Sequence, residues 1–321
     1  MKREYSGPFA SFIERHLKLR ISLGFIYRSA QRHLYEFDVY LSKYFADAKV
    51  ITKQMVIGYL ENAKHLGLKG QSDRLTNIRV FLRFLFQFNT DTYIPEKSLV
   101  APYKVRTKPH IYTKRQVLRL IEAAKSLPPA GSLRPYTYST IIGLLWVTGL
   151  RIGEVVRLNI EDVDLGRKLL YIRQTKFFKS RIVPILKSSA NALYGYQEKR
   201  KHFCFSNGPP SPFFVNERKK RCTTRTIQGT FHDLAKQLNL KTAQDTFPRL
   251  HDFRHSFATL WISDLYRLKK DPNAYLPILA TYLGHANISN TEYYLHISID
   301  LLQNAGKRWW NYINSDSRRL K

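Results

Sequence analysis

Apolar residues recur at steps of three and four through the first ninety residues of this 321-residue chain. Leu75, Ile78, Leu82 and Leu85 are spaced by 3, 4 and 3; Ala30, Leu34, Phe37, Leu41 and Tyr44 by 4, 3, 4 and 3. Such spacing puts each set on one face of a 3.6-residue helix and disagrees with the period of two that a strand needs. Helices are expected over 8–22, 27–45, 52–65 and 72–88, with breaks at Gly24, the Gly67–Gly70 stretch and Asn89. Helices with one apolar face must bury those faces on one another, so an all-α domain is expected over 1–92.

The pattern then changes. Residues 93–110 contain Pro95, Pro102 and Pro109 and little periodicity, as a linker would. Six basic residues and no acidic one lie between Lys104 and Arg119. An extended basic linker can track a phosphate backbone, which makes Lys104, Arg106 and Lys108 candidate DNA contacts; a solvated connector is the alternative.

A second domain is expected over 111–321. Thr113 and Gln116 form a capping-box pattern, and an apolar helix over 136–147 ends at Thr148 and Gly149. Residues 169–173 and 181–186 read as two strands joined by the polar stretch 174–180 as a hairpin. Helices follow at 188–199, 224–238, 250–263 and 276–283, with Pro277 in the first turn of the last. Leu301–Lys321, with Trp309 and Trp310, reads as an amphipathic tail helix that could pack on its own domain or on a neighbour. The fold class expected is mainly α with a small β component.

Lys and Arg number 53 against 24 Asp and Glu, a net charge of +29 on a chain that is 44% hydrophobic. A folded protein with that self-repulsion calls for a polyanionic partner. Nucleic acid comes first and an anionic membrane second, because no apolar run approaches the roughly 20 residues that span a bilayer. Residues 1–5 have no apolar segment behind them, so no signal peptide is expected. Cys204 and Cys222 make neither a disulfide framework nor a zinc spacing, which suits a reducing cytoplasm without a metal or other cofactor.

Four islands carry the chemistry. In Thr148-Gly149-Leu150-Arg151-Ile152-Gly153-Glu154, Arg151 stands where one helix ends and another starts, a place suited to an anion; alternatively it is a surface arginine paired with Glu154. Lys176, Lys179 and Arg181 lie on or beside the hairpin tip, either as DNA contacts and a proton donor or as a solvated basic turn. In His251-Asp252-Phe253-Arg254-His255, His251 and Arg254 share a helix face. A zinc site there lacks the Glu after the first histidine and a third ligand. His255 is expected to be buried and hydrogen-bonded. The last island is Leu283-Gly284-His285 followed by Tyr293-Tyr294-Leu295-His296, where a tyrosine alone would read as packing. Together, two arginines, a lysine, histidines and a tyrosine are the set that phosphoryl transfer needs.

The order and spacing of these islands resemble the tyrosine recombinase, or phage integrase, family over about residues 110–300. The resemblance implies a core-binding (SAM-like) all-α N-terminal domain and a mixed α/β tyrosine-recombinase catalytic domain. It implies that Arg151 and Arg254 clamp the scissile phosphate, that Lys176 protonates the leaving 5′-oxygen, and that His251 assists the proton at the nucleophile. His285 would hydrogen-bond a non-bridging oxygen, Glu154 would orient its neighbours, and Tyr294 would form a 3′-phosphotyrosine. Tyr293 and Lys179 are the competing choices for nucleophile and acid. The expected activity is site-specific recombination or integration of duplex DNA in the service of a mobile element. A tetramer would hold two DNA sites, with a monomer or dimer when free and accessory recombination proteins as further partners. The rivals are a type IB topoisomerase and a non-catalytic DNA-binding member of the fold. The stretch from Ser263 to Tyr275 is longer than the family's simplest members need.

Overall fold

The computed structural model describes residues 4–25, 28–101, 108–173, 180–203, 211–285, 287–289 and 291–295. Lys104, Arg106, Lys176, Lys179, His296 and the expected tail helix lie outside the described residues. The chain divides into two compact units near residue 107.

The first unit contains α1 (Ala10–Ser22), α2 (Arg28–Tyr44), α3 (Lys53–Asn62) and α4 (Gly67–Leu85). The spaced apolar residues meet in one core, in which Ile13, Leu34, Phe37, Leu41, Val56, Ile78, Phe81 and Leu82 are fully enclosed. Asp38, also buried, accepts hydrogen bonds from the Ser6 and Gly7 amides and pins the entry to α1 on α2. The break expected across Gly67–Gly70 is confined to Gly67, which takes a positive φ of 67° and itself opens α4. One left-handed residue is enough to turn the chain, so Gly70 continues the helix.

The second unit begins with α5 (Lys114–Lys125) and α6 (Arg134–Thr148). Thr113 and Gln116 close the expected capping box: the Gln116 amide donates to Thr113 Oγ1 at 3.3 Å and the Thr113 amide to Gln116 Oε1 at 2.9 Å. The four-residue α7 (Ile152–Val155) leads into an antiparallel sheet of β1 (Val163–Asp164), β2 (Leu169–Ile172) and β3 (Arg181–Pro184), in that order. β1 is an addition to the two strands expected, being too short to show an alternation. Leu170 pairs with both Val163 and Val183, and Leu170 and Val183 face the core.

α8 (Lys187–His202), α9 (Thr224–Gln237), α10 (His251–Arg267) and α11 (Pro272–Leu283) complete the unit. α11 starts four residues before the expected point. Asp271 caps it, accepting from the Asn273 amide at 3.0 Å, and Pro272 rather than Pro277 occupies the first turn. Pro277 therefore lies inside the helix. α10 is seated by Tyr112, whose ring stacks on Phe253 at 4.3 Å and whose amide donates to Ser256 Oγ at 2.9 Å. The fold is mainly α with a small sheet. No described helix is long and apolar enough to cross a membrane.

Candidate active site

The site forms where the ends of α6, α7, α10 and α11 converge. Gly149 ends α6 in the left-handed conformation, φ 60°, and a Cβ there would lie 2.7 Å from Phe257 Cδ1 on α10. Only glycine permits both the turn and this approach. The chain then delivers Arg151 to the start of α7.

Glu154 is almost fully buried and surrounded by donors. Its carboxylate accepts from the Arg151 amide at 3.0 Å and from Arg151 Nη1 at 3.0 Å. It also accepts from Arg181 Nη1 at 3.0 Å and Arg181 Nη2 at 2.9 Å. Burial works to raise the carboxyl pKa, but the hydrogen bonds and charges of Arg181 and Arg151 prevail and hold it at about 2. A permanent anion therefore orients Arg151, whose side chain stays 37% exposed.

Arg254 projects from the first turn of α10 and is 1% exposed. Its Nη1 donates to the Gly149 carbonyl at 3.1 Å and its Nη2 to the Leu283 carbonyl at 2.7 Å, which ties α10 to the ends of α6 and α11. Burial, then the nearby Arg151 charge, lowers its pKa to about 10. Arg254 is bound only to backbone carbonyls and Arg151 shares Glu154 with Arg181, so two guanidinium groups close together keep positive charge for an anion.

His285 follows α11 through Gly284. Its Nδ1 pairs with Thr291 Oγ1 at 2.7 Å, and its ring stacks on Tyr294, centroids 6.2 Å apart and planes 13° apart. Residues 291–295 are helical and place Tyr294, 3% exposed, against Ala258, Ile262 and Leu283. Burial raises the Tyr294 pKa, opposed by the charge and hydrogen bond of Arg254 and by the charge of Arg151. The His285 pKa is lowered to about 3 by burial and then by Arg254, Arg151 and Arg181. His251, at the start of α10, is also lowered by desolvation and then by Arg254 and Arg151. At neutral pH both rings are uncharged.

The fold thus brings Arg151, Glu154, His251, Arg254, His285 and Tyr294 together from three separated islands. Lys108 is exposed. Two expectations need correcting. Arg181, taken as a DNA contact, has a side chain only 10% exposed; Nε donates to the Tyr282 carbonyl at 2.8 Å and both terminal nitrogens are spent on Glu154. It is part of the protein interior because a buried carboxylate needs a buried cation. His255, expected to be hydrogen-bonded, is half-buried, and its Nδ1 has no hydrogen-bond partner among the described residues. It packs by ring contacts instead, 4.8 Å from His251 and 5.5 Å from Tyr294. Thr291 was missed: a threonine in a polar stretch carries no local sign that it faces a histidine. Among the described residues no group of three or more His, Cys, Asp or Glu could hold a metal ion.

Residues 111–300 match the model of the phage integrase family. The chain belongs to that family. It is a tyrosine-type site-specific recombinase. The recombinase is 34% identical over 306 residues to the integrase/recombinase y4rB of Sinorhizobium fredii, covering 94% of this chain and 97% of that one. It is 31% identical over 228 residues to the tyrosine recombinase XerC of Herpetosiphon aurantiacus, covering 71% and 69%. Among solved structures, the recombinase resembles XerH bound to a palindromic difH substrate, with a TM-score of 0.62 at 20% identity over 88% of this chain and 79% of that one. It resembles the Tn1549 transposon integrase in complex with a circular intermediate DNA, with a TM-score of 0.63 at 17% identity over 88% and 94%. At these identities the two likenesses establish the fold.

Proposed function

We propose that this recombinase cleaves and rejoins duplex DNA through a 3′-phosphotyrosine at Tyr294, in the cytoplasm and in the service of a mobile element. The observation that carries this reading is the placement of Tyr294 between the Arg254 guanidinium and the His285 ring, with Arg151 alongside. The Tyr294 oxygen attacks the scissile phosphorus and its proton leaves towards His251. The bond to the 5′-oxygen breaks, and Lys176 supplies the proton that makes a free 5′-hydroxyl. Arg151 and Arg254 neutralise the non-bridging oxygens as charge builds on them, and His285 donates to one of them. Attack by a 5′-hydroxyl on the phosphotyrosine runs the same steps backwards, so no outside energy source enters.

Charge supports a DNA partner. The first 100 residues hold 16 basic and 9 acidic side chains, a net of +7, which leaves +22 for the remainder. Residues 1–92 would be the core-binding domain, 93–110 the linker and 111–321 the catalytic domain. Lys104, Arg106, Lys108 and Lys179 would contact the backbone, and four protomers would hold two sites, with accessory proteins as further partners. Relatives named as integrases and recombinases, and similar folds solved on DNA, point the same way.

The test is a nicked suicide duplex whose site is recovered from a random-sequence pool. Wild type should form a covalent adduct; Tyr294→Phe should form none while still binding DNA. An adduct that survives this change but disappears in Tyr293→Phe moves the nucleophile by one residue. No adduct under any condition favours a non-catalytic DNA-binding protein.

A further inference from the structure

Arg181 opens β3, the strand that follows the segment carrying Lys176. Its guanidinium uses every nitrogen. The two terminal nitrogens make a bidentate pair with Glu154, 27 residues earlier, and Nε donates to the Tyr282 carbonyl, 101 residues later. Glu154 in turn holds the amide and one guanidinium nitrogen of Arg151. Tyr282 is next to Leu283, whose carbonyl takes Arg254 Nη2, and lies three residues before His285. The guanidinium also passes under Gly284: a Cβ there would sit 2.7 Å from Arg181 Nη1, and the residue has a φ of +70°. One planar fork therefore joins the element that aims Arg151 to the turn that aims His285.

We propose that Arg181 is a positioning residue for strand cleavage: it joins Glu154 to the end of α11 and so sets Arg151 and His285 at one separation around the phosphate. The inference rests on the cleavage reaction proposed above. Geometry favours this role over a plain internal ion pair. A plain pair needs only charge, which a lysine supplies. Here three hydrogen bonds leave one planar group in two directions, and a lysine ammonium cannot reproduce that fork. The role also differs from that of Lys176, because the contacts lead to groups that bind the phosphate and not to the leaving oxygen.

The test uses Arg181→Lys in the full chain, with single-turnover adduct formation at saturating protein. Two suicide duplexes are compared. One has an ordinary scissile phosphodiester; the other has sulfur in place of the bridging 5′-oxygen. On the second, the Tyr294 oxygen bonds to phosphorus, the phosphorus–sulfur bond breaks, and the thiolate leaves without needing a proton. Arg181→Lys should cut the saturated rate roughly 100-fold on the ordinary duplex, the scale of loss from an ångström-sized misplacement. DNA affinity should stay at the wild-type value, and the loss should persist on the sulfur duplex. A wild-type rate for the variant would overturn the inference. So would full recovery on the sulfur duplex, which would make Arg181 a support for the proton donor. Should Arg181→Lys melt below the assay temperature, the isosteric Glu154→Gln weakens the same link and should show the same loss on both duplexes; a wild-type rate there overturns the inference too. Wild type silent on both duplexes overturns the proposed reaction itself, an outcome distinct from a defect confined to the variants.

Discussion

The His285 ring stacks on the Tyr294 ring while its Nδ1 pairs with Thr291 Oγ1 at 2.7 Å. Thr291 is fully buried, so this hydroxyl is a fixed support and not an exchangeable surface contact. Thr291→Val keeps the shape and removes the partner. It should lower stability by about 1–3 kcal/mol through the unpaired histidine nitrogen. It should also slow adduct formation, because the ring loses the contact that sets its orientation. Thr291→Ser should restore both. Equal rates for the valine and serine variants would show that the hydroxyl does not orient His285.

Gly149 combines a left-handed backbone with contact against Phe257. Gly149→Ala should cost about 2–4 kcal/mol in urea unfolding, from left-handed strain and overpacking together. Because the Gly149 carbonyl accepts from Arg254, the rate of adduct formation should fall as well. Phe257→Leu in the same chain should recover the steric part and leave the strain. A variant as stable as wild type would refute the close approach.

Stability should depend on pH in a defined direction. His255 is lowered from 6.5 to about 4, by burial first and then by His251, and His285 to about 3. Between those values and 6.5 the unfolded chain binds protons that the folded chain refuses. Folding free energy should therefore be lost as pH falls from about 6.5 towards 4, and regained as it rises. Glu154, held at about 2, adds stability above its usual 4.5 that disappears as pH falls from there towards 2. His255→Gln should flatten the upper part of this profile when unfolding is followed across pH 4 to 7. A slope unchanged by that substitution would mean that His255 is not kept neutral by the fold.

A duplex partner held by backbone charge carries a salt signature. Non-specific affinity should fall by roughly 10³-fold or more between 50 and 200 mM salt, as phosphate contacts release counterions. The measurement is a fluorescence-anisotropy titration of a random duplex at several salt concentrations. A flat dependence would remove the excess of positive charge after residue 100 from the DNA interface.

How much of the molecule could be read in advance varies with the range of the interaction. Helix α4 appeared in the 3, 4, 3 steps from Leu75 to Leu85 because the helical period is local and its apolar face must be buried. The cap at Thr113 and Gln116 was readable because both partners lie within one turn. The start of α11 was misplaced because Pro277 suits a first turn, whereas the Asp271 cap opens the helix earlier and gives that place to Pro272.

The amino-acid sequence by itself determined the helical periods, the excess of positive charge, and the order of Arg151, His251, Arg254, His285 and Tyr294 that marks the family. Only the tertiary structure decided what each side chain faces. Arg181 reads as one more basic residue beside a hairpin, yet its partners are Glu154 and the Tyr282 carbonyl, 27 and 101 residues away. Arg254 likewise meets the Gly149 carbonyl across 105 residues. Periodicity reports which face of an element is apolar, whereas a buried charge is matched by whatever packing brings to it. That is why the residues proposed for the site could be picked out in the sequence while the contacts that aim them could not.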